Sequence, residues 1–91
     1  MTLEQAWWAH LNEVRWFGGK GSAGGVTRLE PLGWYTAPDA VPAVRSEVAT
    51  IDYSDGRREW YHLLAAHYPA GRAPVEPLAT AGGVDVVDAT T

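Results

Sequence analysis

Cysteine is absent from this 91-residue chain, which excludes disulfides and thiolate metal sites and fits a reducing compartment. No stretch approaches the roughly 18 apolar residues of a membrane span. The opening Met1-Thr2-Leu3-Glu4-Gln5 is acidic and carries no long apolar run, so no signal peptide is expected. Positive charge is scarce as well. Seven Lys and Arg stand against 11 Asp and Glu, a net charge of −4, and nothing supplies the basic stripe that a nucleic-acid binder needs. No period repeats, and no low-complexity tract stands out. The expectation is a soluble, cytoplasmic protein whose partners include neither nucleic acid nor membrane.

What the chain does have is apolar and aromatic weight. It is 46% hydrophobic with five tryptophans, which argues for a folded domain rather than disorder. The length allows one small domain, 1–91, that buries roughly 60–65% of its unfolded surface.

Thr2 and Gln5 have the spacing of a capping box. Leu3, Ala6, Trp7, His10, Leu11 and Val14 then recur at three- and four-residue steps, which predicts an amphipathic helix over about residues 3–13. Gly18 and Gly19 are expected to end any continuation. Gly21 to Gly25 reads as too flexible for regular structure. Val26 to Ala37 reads as extended, and Pro31 and Gly33 point to an edge position or a bulge. Pro38 to Pro42 reads as a loop.

Val44 to Tyr53 and Arg57 to Tyr68 flank Ser54-Asp55-Gly56, a strong hairpin signal. Alternation is imperfect in both arms, so a twisted or bulged sheet with apolar residues on both faces is expected. Pro69 to Pro77 is a surface connection. Leu78 to Ala81 and Val84 to Asp88 flank Gly82-Gly83, a second hairpin. The tail, Ala89-Thr90-Thr91, carries no stop signal and reads as cut rather than finished. The predicted class is α+β: an amino-terminal helix packed on a curved antiparallel sheet of four or five strands.

One string has a distinctive composition: Arg15-Trp16-Phe17-Gly18-Gly19-Lys20-Gly21. With the Trp-bearing first helix, the Asp55-Gly56 hairpin, the Trp60-Tyr61-His62-Leu63-Leu64 arm and the closing Val84 to Ala89, it resembles the amino-terminal cap domain of the maltokinases. The resemblance runs along nearly the whole chain, although only the first string is specific. Ser22 departs from it, since an arginine would be expected after the Gly-Lys-Gly turn.

The resemblance implies a cystatin-like outline and a non-catalytic part of an ATP-dependent sugar kinase. Maltokinases phosphorylate maltose at the anomeric hydroxyl, and the maltose 1-phosphate feeds α-glucan and glycogen synthesis. ATP and Mg²⁺ belong to the full-length kinase, and the partner of the cap is the kinase small lobe, in the same polypeptide or in trans. A related glucosamine kinase shares the layout. The alternative from another class is a free-standing binding or scaffold module that reuses the cap fold.

The residues themselves give no enzyme. Phosphoryl transfer in this kinase type needs a His-x-Asp-x-x-x-x-Asn loop and an Asp-Phe-Gly-like metal site. His10, His62 and His67 start no such loop. Catalytic, cofactor-binding and metal residues are therefore all expected to be absent, and the kinase small and large lobes are missing from this chain. Gly18 to Gly25 fails as a P-loop, because Gly19-Lys20 is followed by Gly21 and the position five before Gly19 is Val14. A weak anion nest around Lys20 and Arg15 is conceivable, but the default is a tight turn needing positive φ.

His62 and His67 lie five apart in one arm and should face opposite ways. Arg57-Arg58-Glu59 reads as a solvated hairpin edge. The aromatics Trp7, Trp8, Trp16, Phe17, Trp34, Trp60 and Tyr61 read either as core or as flat platforms for a sugar ring. Core is the better reading for Trp7, Trp16 and Phe17. Trp8 falls beside the main helical stripe and is the candidate for an interface. A cap detached from its body should leave an apolar patch of roughly several hundred Å² uncovered.

Overall fold

A computed structural model describes residues 2–14 and 17–90. Helix α1 spans Leu3–Leu11, followed by strands β1 (Gly24–Trp34), β2 (Ala43–Tyr53), β3 (Arg58–Pro69), β4 (Ala79–Ala81) and β5 (Val84–Asp88). The five strands form one curled antiparallel sheet in the order β1-β2-β3-β5-β4. The fold is α+β, as the sequence predicts.

The capping box is formed on both sides. The Thr2 hydroxyl accepts from the Gln5 backbone at 3.1 Å, and the Gln5 side chain accepts from the Thr2 backbone at 2.8 Å. The helix ends at Leu11, two residues short of the expected end near residue 13. Asn12 caps it, its side-chain amide donating to the Trp8 carbonyl at 2.8 Å. A short polar side chain competes for helix carbonyls, so the stop comes at Asn12 before Gly18 is reached.

Both hairpins follow from their turn residues. Gly56 takes φ +94° at the end of Ser54-Asp55-Gly56, and Gly82-Gly83 takes φ +60° and +78°, as a two-residue turn between Ala81 and Val84 requires. Strand β1 is an edge strand with irregularities between Val26 and Arg28 and between Pro31 and Gly33. The Pro31-Gly33 break lies where the residue types place it. The strand nevertheless starts at Gly24, inside the segment that reads as irregular. Its partner backbone explains the difference: a side chain at Gly24 would put Cβ 2.6 Å from the Asp52 carbonyl oxygen. Gly24 permits close strand approach.

The inner face of the sheet carries the core. Ala49, Ile51, Tyr53, Leu63, Ala65 and Val86 pack with Trp7 and Leu11 of α1 and with Phe17. His10 of α1 pairs with Asp88 of β5 at 2.7 Å. Nine helical residues are about 14 Å long, whereas the 11 residues of β2 extend about 36 Å. The helix therefore covers only part of the inner face. Ala49, Ile51 and Tyr53 pack in the core with α1, and His10 reaches Asp88, which shares a cross-strand row with Ala65, Arg45 and Trp34.

Candidate functional site

The Trp34 end of the sheet carries a distinctive surface. Trp34 opposes Arg45 across β1 and β2, and Ala43 opposes His67 across β2 and β3. The Arg45 guanidinium lies 5.2 Å from the Trp34 ring centre, and the His67 ring meets Trp34 edge-on at 5.5 Å. His67 Nδ1 is 3.1 Å from the Ala43 carbonyl oxygen, an acceptor that fixes this nitrogen as the donor. Trp34 is thereby held in one orientation while 41% of it faces solvent. A groove beside it runs between the 38–42 loop and the Tyr68-Pro69 end of β3. Leu32, Tyr35 and Val41 add further exposed apolar surface to this end, Tyr35 at 65%.

Beneath Arg45 lies a buried carboxylate. Glu47 is only 2% exposed, and its Oε2 is 3.5 Å from Arg45 Nη2. That distance makes an ion pair but a poor hydrogen bond. Glu47 Oε2 and Arg45 Nε are both left without a hydrogen-bond partner. A charge buried this way costs several kcal/mol unless paired, so Glu47 ties Arg45 to this position, and Arg45 in turn supports Trp34 by cation–π contact.

At the opposite end, the described part of the Gly-rich string, Phe17 to Gly21, forms a clasp on Tyr53, Tyr61 and Asn12. Arg15 and Trp16 lie outside the described residues. Phe17 is buried, with its ring 5.0 Å from Tyr61 and 5.8 Å from Trp8. The Gly21 amide donates to Asn12 Oδ1 at 3.3 Å, and the Ser22 amide to the Gly19 carbonyl at 3.1 Å. These two amides are engaged internally, which weakens the nest reading. Lys20 is exposed.

Among these glycines only Gly21 adopts positive φ, +81°. Gly19 is needed for another reason. A Cβ there would lie 2.0 Å from Tyr53 Oη and 2.7 Å from Phe17 Cζ. The tight-turn explanation therefore holds at Gly21, and at Gly19 it gives way to close packing.

Trp8 is half-buried and packs edge-on against Phe17 and Tyr53, at 5.8 and 6.3 Å. It belongs to the clasp end, far along β2 from Trp34. Tyr53 donates to Glu59 Oε1 at 2.5 Å. Burial, followed by that hydrogen bond to a carboxylate, pushes the Tyr53 hydroxyl well above its ordinary pKa.

The three histidines are dispersed. His10 meets Asp88, His62 contacts Ser46 and His67 meets Ala43. His62 and His67 lie on opposite faces, as their spacing requires. Among the described residues no three His, Asp or Glu gather into a metal-ligand cluster. Among the same residues no helix is long and apolar enough to cross a membrane.

The sequence reading left Trp34 and Trp60 undivided between core and surface. A usable signal existed for Trp60. Arg58, Trp60 and His62 share one face at period two, and the two polar members mark that face as the outer one. Trp34 had no such signal, because its exposure depends on how Arg45, His67 and the 38–42 loop gather around it.

No family model, no curated protein and no solved structure matches this chain.

Proposed function

We propose that this chain is the amino-terminal cap of a maltokinase-type sugar kinase, non-catalytic by itself, which docks on the ATP-binding small lobe in the same polypeptide or in trans. The observation that carries the reading is the apolar end formed by Leu32, Trp34, Tyr35 and Val41, all exposed. Apolar patches rich in tryptophan and tyrosine are the usual centres of docking surfaces. The string Arg15 to Gly21 and the helix-plus-sheet layout support the same reading.

In this role Trp34, held by Arg45 and His67, is the anchor that enters the lobe. Trp8 would serve only a contact at the clasp end. The base and metal ligands of phosphoryl transfer come from the kinase lobes, where ATP and Mg²⁺ bind, and the setting is cytoplasmic. Maltose 1-phosphate for α-glucan and glycogen synthesis is the product of the whole enzyme.

The test is the mass and activity of the species that carries this domain in its source cells, captured with an antibody against the chain. A species several times larger than 9.9 kDa, or a stable complex, should phosphorylate maltose with ATP. Trp34→Ser should weaken association of cap and lobe while leaving the cap folded. A solitary 9.9-kDa species with no kinase activity attached to it would refute the reading. Phosphorylation of glucosamine in place of maltose would assign the cap to the related kinase.

A further inference from the structure

The outer face of the sheet carries a second surface, centred on Trp60. Register places Asp52 opposite Arg58, Thr50 opposite Trp60 and Val48 opposite His62, with Arg28 and Glu30 of β1 completing the Thr50 and Val48 rows. Trp60, 64% exposed, sits at the β3 side of a shallow depression that Arg28, Glu30, Val48, Thr50, Asp52 and Arg58 also line. Its indole faces away from the helix-covered core. Around it the polar groups are fixed. Arg58 Nε donates to Asp52 Oδ1 at 2.6 Å, Thr27 Oγ1 donates to Asp52 Oδ2 at 2.6 Å, and Arg28 pairs with Glu30 at 3.4 Å. The Arg58 guanidinium and then the Thr27 hydroxyl hold the Asp52 carboxyl below the usual carboxylate range, so it stays an acceptor.

The charges of this patch cancel, Arg28 and Arg58 against Glu30 and Asp52. A phosphate or an acidic peptide meets no net field there, and a purely apolar partner would have to desolvate four ionised groups. A neutral molecule with C–H faces and hydroxyl edges meets both demands. Its flat face packs on the Trp60 ring, and its hydroxyls accept charge-assisted hydrogen bonds from guanidinium and donate them to carboxylate. Thr50 stands across from Trp60 at the strand spacing of about 4.8 Å, and the Asp52–Arg58 row lies two residues, roughly 6.7 Å, further along. We infer that the outer sheet face centred on Trp60 is a binding site for a neutral oligosaccharide, stacked on the indole and held at its edge by Thr50, Asp52 and Arg58. The site goes beyond the docking role and does not depend on it.

Titration of the ¹⁵N-labelled 91-residue chain with maltohexaose, and separately with cellohexaose, tests the inference. At least one sugar should shift the Trp60 indole N–H and the Thr50 and Arg58 amides saturably. Trp60→Ala should weaken binding at least about ten-fold, while Trp60→Phe keeps most of it. The Trp60 side chain contributes little to the core, so spectra of both variants should superimpose on the wild type away from the site. No saturable shift with either sugar overturns the inference. So do shifts centred on Trp34, binding that survives Trp60→Ala, or Trp60 shifts that follow protein concentration alone and so report a second copy of the chain on this face.

Discussion

Replacing Gly19 with alanine should destabilise the fold by more than any other single methyl in the 17–22 segment. The added Cβ would start 2.0 Å from Tyr53 Oη, 2.7 Å from Phe17 Cζ and 3.0 Å from Tyr53 Cζ. Reaching ordinary contact, roughly 3.5 Å, requires the Tyr53 hydroxyl to retreat by about 1.5 Å. Tyr53 and Phe17 are both buried, so neither has free space to enter. Overpacking of this kind costs about 1–3 kcal/mol. The retreat also breaks the 2.5 Å hydrogen bond from Tyr53 to Glu59, adding about 1 kcal/mol once Glu59 regains water. The sum is about 2–4 kcal/mol, a large share of the roughly 5–15 kcal/mol available to a small domain.

Urea unfolding followed by tryptophan fluorescence should read this loss, and Tm should fall by about 10–25 °C. Gly18→Ala is the control. Its Cβ would meet Tyr61 Oη at 3.8 Å, an ordinary contact, and should change stability by less than about 0.5 kcal/mol. Gly21→Ala, at φ +81° with open space around it, should cost about 1–2 kcal/mol through backbone strain alone. In a Tyr53→Phe background the nearest clash is gone, and the cost of Gly19→Ala should shrink by at least about 1 kcal/mol. A Gly19→Ala protein as stable as the wild type, or one whose cost is the same in both backgrounds, would refute the packing argument.

Two further expectations concern the ends of the fold. Thr2→Ala removes the acceptor for the Gln5 amide and should cost about 1 kcal/mol by thermal denaturation; a neutral result would mean that packing alone holds α1. Asp85 is buried in β5 and accepts from Thr80 Oγ1 at 2.6 Å and from the Gly71 amide at 2.9 Å. Those two hydrogen bonds, Thr80 first, hold its carboxyl below the ordinary range. A depressed native pKa stabilises the fold above the unfolded value, about 3.9, and that stability is lost as pH falls through the native pKa. Asp85→Asn should therefore be less stable than the wild type near neutral pH, with the gap closing in acid; a gap independent of pH between 6 and about 2 would contradict this.

Much of this architecture was legible in the residue order, because its causes are local. Thr2 and Gln5 cap the helix within one turn, and Asp55-Gly56 and Gly82-Gly83 impose turn dihedrals that other residues adopt at a cost. Pro31 and Gly33 disturb a ladder wherever they sit in a strand. These signals were enough for the α+β class and both hairpins. They set the helix end near residue 13, two residues past Leu11, because the Asn12 cap is a weaker signal than glycine. They erred at Gly24, where the neighbouring strand decides.

The candidate surfaces were only partly legible. Leu32, Trp34 and Tyr35 stand exposed at one end of the edge strand β1, and that placement appears only once the sheet is assembled. The pairing of His10 with Asp88, 78 positions apart, and the burial of Glu47 under the sheet end likewise have no local cause. What the amino-acid order determined by itself was the set of elements and turns, whose energetics are contained within a few residues. Which aromatics became core, which became platforms and which glycine became a packing contact was decided by the tertiary structure, since burial is a property of distant chain segments meeting and not of any one segment.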